Sequence, residues 1–211
     1  MAACLSGGGE YLDEAHALAK LAFEKYINKK TFLVNQLSGG FQKNWSFIGS
    51  HTYIAYTFLL LVRKTGDKWA RDVGLRIARR LVMLQGRNGE WAWMYHTPTG
   101  KAADYYPTYS IHQYAYAPFF LTEAIDLGYD EFRLPLLKGF RWILGQNDLG
   151  KSMVEPEHTV IWRRVLRKGI HNSAAMKVIR GYATVLGLVK PSAASAEAIE
   201  IDYQCHGFEM G

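Results

Sequence analysis

Residues Leu84–Pro118 read LQGRNGEWAWMYHTPTGKAADYYPTYSIHQYAYAP and hold two tryptophans, six tyrosines, two histidines and one aspartate. The stretch opens with Gln85-x3-Gly89-x-Trp91, a glutamine, a glycine turn and an indole at fixed spacing. It closes with phenols and an imidazole gathered about Pro107, from Tyr105 to Gln113. Apolar periodicity on both sides is helical. We therefore read the stretch as the lining of a cleft at one end of an all-helical domain.

Upstream, Leu12, Ala15, Ala19, Ala22, Phe23 and Tyr26 recur at spacings of three and four, which predicts a helix over 11–27. A second helix is expected up to Lys64, capped by Ser46 or Ser50 and burying Tyr53, Tyr56, Thr57, Leu60 and Leu61. Thr65-Gly66-Asp67 ends it: glycine supplies a left-handed stop, and aspartate caps the following helix. That helix, 68–84, buries Trp69, Val73, Ile77, Leu81 and Leu84, and the short link makes an antiparallel hairpin. Downstream, 112–127 reads as a helix with a kink at Pro118. Gly128 stops it, and a return helix runs from Asp130 to Leu144, its start moving to about Leu134 if Pro135 sits in its first turn. Residues 31–45 and 145–160 read as loops, 160–168 as short and basic with its form open, 173–188 as a weak helix and 191–195 as a linker.

A repeat underlies this order. Gly66 and Gly128 lie 62 residues apart, while Gln85 and Gln146, and Gly89 and Gly150, lie 61 apart. One helical hairpin per unit of that length predicts a curved or closed array in which neighbours bury each other's faces. The expected fold class is all-α, an α/α toroid. Residues 1–9 are expected to be a mobile lead, with 10–211 as one domain.

Composition narrows the function classes. Apolar residues make up 49% of the 211, which excludes disorder, and aromatics reach 14%. The formal charge is +6, with arginines at 76, 79 and 80 and again at 163, 164 and 167 beside Lys168. Such runs form solvated faces or attract anions, and no nucleic-acid module accompanies them. Cys4 and Cys205 make neither a disulfide framework nor a paired metal-ligand spacing. The start lacks the pattern of a signal peptide. The longest apolar run, Phe58–Val62, is far short of the roughly 20 residues that span a bilayer. A cytoplasmic protein with no membrane span, no metal and no cofactor is the expectation. Gly7-Gly8-Gly9 lacks the lysine and preceding strand of a phosphate loop.

Gln85-Gly86-Arg87-Asn88-Gly89-Glu90-Trp91 resembles the glutamine-tryptophan repeat of terpenoid cyclases and related α/α toroids, and Trp142 to Gly150 looks like a degenerate second copy. The acidic signature of those cyclases has no match. A closer resemblance joins Gly89–Tyr95, Tyr106–Gln113, Trp142–Gly145, Ile161–Arg163 and Cys205–Gly211. It is to an uncharacterised bacterial family similar to six-hairpin glycosidase-like and terpenoid-cyclase-like toroids, whose members accompany polysaccharide-biosynthesis enzymes. That family has Glu-Cys-Arg where this chain has Gln204-Cys205-His206. The resemblance implies a partial barrel, truncated at Gly211, and a saccharide partner that is neutral or anionic, with no oligomeric state implied.

The residues fit such a partner. Trp91, Trp93, Tyr95, Tyr105, Tyr106 and Tyr109 offer flat faces to a sugar ring, although Trp91 serves equally as a packing residue of the repeat. Glycoside hydrolysis needs two carboxyl groups, and Glu90, Asp104 and Glu209 are the candidates. Asp104 stands in a loop beside two tyrosines, where an Asx turn is the plainer role. His112, at an expected helix start, is held neutral by the helix dipole and suits a general base, or is a buried histidine bonded to a carbonyl. A Tyr–His pair, Tyr106 with His112, suits proton abstraction beside a uronate. Gln113 suits a sugar hydroxyl or caps a loop, and Arg163 beside Trp162 suits a carboxylate or is a surface charge. Hydrolase, lyase and epimerase chemistry stay open, as do a non-catalytic scaffold or binding module and an isoprenoid-binding toroid.

Overall fold

The computed structural model describes residues 9–190 and 196–205. Residues 1–8 of the expected lead, the expected linker at 191–195, and Glu209 lie outside them. Helix α1 (Gly9–Tyr26) packs beside α2 (Ile48–Thr65), which pairs with α3 (Lys68–Met83). A second pair, α4 (Ala117–Asp126) and α5 (Arg133–Ile143), leans on α2 through α4. The caps are those the residues dictate. Gly66 takes φ 69° and donates its N–H to the Val62 carbonyl, and Asp67 Oδ1 accepts from Ala70 N at 2.9 Å. The other oxygen of Asp67 meets His16 Nε2 at 2.7 Å and so ties α1 to the hairpin. Helix α2 buries Thr52, Ala55 and the whole run Phe58–Val62, because three helices surround it. Tyr53, expected inside, is exposed, and neither serine caps the helix; Ser46 Oγ instead meets His51 Nε2 at 3.0 Å.

The expectation of an all-α toroid is wrong, and two antiparallel sheets overturn it. In the first, β1 (Trp45–Phe47), β2 (Met94–His96) and β3 (Lys101–Asp104) lie in that order. The second is built on β6 (Val160–Arg167), flanked by β4 (Thr108–Tyr109), β5 (Val154–Glu155) and β7 (Ile199–Cys205). The protein is a mixed α/β structure. The resemblance to six-hairpin glycosidase-like and terpenoid-cyclase-like toroids falls with the all-α class.

The strands have local causes. Val160-Ile161-Trp162 and Val165-Leu166 are β-branched, aromatic or bulky and fit a pleated surface. Ile199-Glu200-Ile201-Asp202 alternates with period two, and both isoleucines are buried against β6 while Glu200 faces out. Helix α6 (Ala174–Val185) crosses β3, and Gly181 lets it close on Met94 and Trp45: a Cβ there would stand 2.8 Å from the Met94 methyl. Residues 112–126 are helical as expected, but the irregularity is a π-turn at the start rather than a kink at Pro118. A π-turn, His112–Tyr116, closed by Ala117 N–H on the His112 carbonyl, precedes α4, and Pro118 sits harmlessly in the first turn of α4. Among the described residues no helix is long and apolar enough to cross a membrane.

The Gln85-x3-Gly89-x-Trp91 turn stitches the two helical pairs together. Gln85 Nε2 donates to the carbonyls of Gly89, at 2.9 Å, and Pro135, at 3.0 Å, and Trp91 is fully buried. In the second turn Gln146 is exposed and Asn147 takes over, its amide donating to the carbonyls of Trp142 and Lys151. Gly89 has φ 99°, and a Cβ there would lie 2.3 Å from the Lys138 carbonyl oxygen, whereas the space around Gly66 is open. Gly89→Ala should therefore cost about 3 kcal/mol, the sum of a left-handed residue and a backbone clash, and Gly66→Ala about 1–2 kcal/mol. Urea unfolding of the two variants checks the difference; equal losses would mean that the Gly89 turn does not press on α5.

Candidate functional site

The chain from Asp104 to Tyr116 runs from the end of β3 through a cis Tyr106–Pro107 peptide and β4 into the π-turn. Its aromatic rings form a wall. Trp93 lies 5.1 Å from Tyr109 and 6.2 Å from His112, with the indole and imidazole planes within 10°. Tyr109 and His112 are 5.1 Å apart, and His112 stacks on Tyr116 at 5.5 Å, since the π-turn carries both rings on one side. Phe47 of β1 extends the wall, 4.7 Å from Trp93, and borders a cavity of about 300 Å³ with Trp45, Met94, Val178 and Tyr182. That volume is of the size small ligands occupy.

Strand β6 brings arginines to the tyrosines. Tyr109 pairs with Arg164 across the β4–β6 ladder, and Arg164 Nη1 donates to the Tyr109 hydroxyl at 2.7 Å while its Nε donates to Asp202 at 2.8 Å. The guanidiniums of Arg163 and Arg164 stand 5.8 and 5.3 Å from the centre of the Tyr109 ring. Arg167 stands 4.8 Å over Tyr106 and donates Nη2 to Asp104 Oδ1 at 2.9 Å. Asp104 and Arg167 are 1% and 5% exposed. Burial pushes the Asp104 carboxyl up, against the pull of Arg167, and pushes the Arg167 guanidinium down, against the pull of Asp104. Asp104 Oδ1 also accepts from Tyr106 N at 3.1 Å, the Asx turn expected of it. The Tyr106 hydroxyl donates to Asp148, which accepts from Asn88 at 2.8 Å.

The sequence-expected residues divide three ways. Trp93, Tyr109, His112 and Arg163 come together at the wall, with Asp104 and Tyr106 in the polar network behind it. Trp91, Tyr95, Tyr105 and Gln113 are buried: the Tyr105 hydroxyl donates to the Leu84 carbonyl at 2.7 Å, and the Gln113 amide donates weakly to the Tyr109 carbonyl at 3.4 Å. Trp162 packs on Tyr203, 5.0 Å away, on β6 and β7. Glu90 is buried and accepts from Asn88 N at 3.0 Å inside the stitching turn, where burial pushes its carboxyl up. Sequence reasoning missed Arg164, Arg167, Asp148 and Asp202. Reading 160–168 as a strand would have found the arginines, because a strand through the interior turns half of a basic run inward. Among the described residues no group of three or more histidine, cysteine, aspartate or glutamate side chains gathers to hold a metal.

No family model matches the chain, and no curated protein matches it either. The saccharide-processing reading, its link to polysaccharide biosynthesis, and the scaffold and isoprenoid alternatives all stood on the toroid. With two sheets in its place they lose their footing, and the functional reading must start from the wall itself.

Two buried histidines set the acid response. His51 accepts from Val34 N on Nδ1 at 3.0 Å, so its proton sits on Nε2 toward Ser46. Burial pushes both His51 and His112 down to about 3. For His112 the cause is desolvation, not the helix dipole expected from its position. In the unfolded chain both protonate near 6.5, so the stability they confer is complete above that pH and is lost as pH falls from about 6.5 toward 3. Each contributes about 1.4 kcal/mol per pH unit within that window. Asp104 and Glu90, raised by burial, act in the opposite sense at the carboxylate end of the range. Unfolding free energy should therefore drop from pH 7 to pH 5, and His112→Gln should remove about half of the histidine slope. Urea titrations at the two pH values measure this; an unchanged slope in the variant would mean that His112 is not buried neutral.

Proposed function

We propose that the protein binds a small, flat-ringed anion non-covalently, with the ring on the Trp93–Tyr109–His112 wall and the charge toward Arg163 and Arg164. The observation that carries this is the placing of two guanidiniums over one tyrosine ring that itself packs on an indole and an imidazole. Stacked rings bind flat apolar faces with little entropy to lose, and guanidinium binds oxyanions through paired N–H groups. Phe47, 4.7 Å from Trp93, borders a neighbouring cavity on the other side.

The side chains behind the wall support binding rather than proton transfer. A histidine with a pKa near 3 is a poor base at neutral pH. Asp104 is engaged by Arg167 and the Tyr106 N–H, and the Tyr106 hydroxyl by Asp148. In this reading Asp104 and Tyr106 are positioning residues and His112 is a stacking one. Of the expected partner, only its negative charge is carried forward. A cytoplasmic location belongs to the same proposal, supported by a chain of 211 residues with two cysteines and no disulfide framework.

Isothermal titration calorimetry with benzoate tests the reading, with benzyl alcohol and acetate as probes lacking the charge or the ring. Benzoate should bind and the other two should not. Trp93→Leu should weaken benzoate about 10-fold, or about 1.4 kcal/mol. Equal binding of benzyl alcohol, or no benzoate binding at all, would sink it.

A further inference from the structure

Behind the wall, cations outnumber their partners. Arg167 arrives from β6, and Lys177 and Arg180 from neighbouring turns of one face of α6, which packs on β3. Asp104 feels all three, and Lys177 feels Arg164 as well. Arg164 in turn is bonded to Asp202. Among the described residues these four positive side chains meet two carboxylates, Asp104 and Asp202, two fewer than their number.

The hydrogen bonds are short of acceptors in the same place. Arg167, 5% exposed, gives Nη2 to Asp104; among the described residues its Nε and Nη1 are buried without an acceptor, and so is Nε of Arg180. A buried guanidinium N–H with no acceptor is costly, and the cost recurs on Arg167 and Arg180, whose charges also repel each other, which calls for an oxyanion near both. A carboxylate would bring one charge. A phosphate monoester carries about −1.5 to −2 at neutral pH and three strong acceptor oxygens, which matches both the charge excess and the three unserved nitrogens.

We propose that Arg167, Arg180 and Lys177 form a seat for the phosphate of a small phosphate monoester, the two arginines donating to its oxygens and Lys177 adding charge. It rests on the wall reading only for the ring of the ligand, which is then a flat-ringed phosphate monoester. Asp104 is the internal counter-ion that keeps Arg167 folded inward when the seat is empty. Arg164 bridges seat and wall, since its guanidinium lies over Tyr109 while its charge reaches Lys177.

Calorimetry on the full chain at pH 7.5 separates the two ideas, with inorganic phosphate, phenyl phosphate and benzoate as probes. Inorganic phosphate should bind saturably to the wild type and to Trp93→Leu with equal affinity. Arg180→Gln and Lys177→Gln, at half-buried helix positions, should each weaken it about 10-fold or more, and Arg180→Lys should recover part of the loss. Phenyl phosphate should bind more tightly than inorganic phosphate to the wild type and only as tightly to Trp93→Leu. Absence of saturable phosphate binding, or undiminished binding in both glutamine variants, overturns the seat; benzoate binding that persists in that case leaves the wall standing. Phosphate binding without any benefit from the phenyl ring keeps the seat and discards the wall.

Discussion

The bond between Asp104 and Arg167 joins the two sheets. Asp104 is the last residue of β3 and Arg167 the last of β6, so a single buried ion pair ties one sheet to the other. Its consequences run along the chain. The same carboxylate holds the Tyr106 N–H, the guanidinium covers the Tyr106 ring, and the Tyr106 hydroxyl reaches Asp148 in the second stitching turn. Asn88 of the first turn meets Asp148 from the other side. Charges taken out of water at this depth are costly, and removing one partner would strand the other. The network holds because Asp104 and Asp148 both accept from more than one donor, and the nitrogens that lack acceptors among the described residues are what the proposed seat rests on.

From that anchor the wall follows. With β3 ended and the chain turned at Tyr106–Pro107, β4 is short, and its partner on β6 brings Arg164 over Tyr109. The π-turn then rotates His112 and Tyr116 onto the side already occupied by Trp93. An ordinary α-helical start would have kept the same residues with a different aim. Burial, not a charged neighbour, keeps the imidazole neutral, so the wall behaves as one apolar surface with its positive charge at one edge.

How much of this could be read beforehand differs from element to element. The Gly66–Asp67 link was legible because a left-handed stop and a side-chain cap are local, and both act as expected. The Gln85 motif was legible as a stitch, but the partner it ties, Pro135 on α5, was not. The strands β1, β2 and β4 are two or three residues long, too short to leave a period in the sequence. Strand β7 did leave one, in Ile199-Glu200-Ile201-Asp202, and it went unread behind the helical repeat. The toroid came from extending that repeat beyond the residues that carry it: the second copy keeps its glycine, but its glutamine is exposed and an asparagine does the work.

The amino-acid sequence by itself determined where helices stop, which turns need glycine, and that aromatic and basic residues occur in dense runs. These are properties of a few neighbouring residues and of backbone sterics, and they hold in whatever fold the chain adopts. Only the tertiary structure decided that the basic run at 160–168 is a strand, that its arginines lie over Tyr106 and Tyr109, and that Asp104 faces a cation 63 residues away. Pairing between strands depends on which segments the helices bring side by side, and a buried charge shows its role only once its partner, distant in the chain, has closed over it.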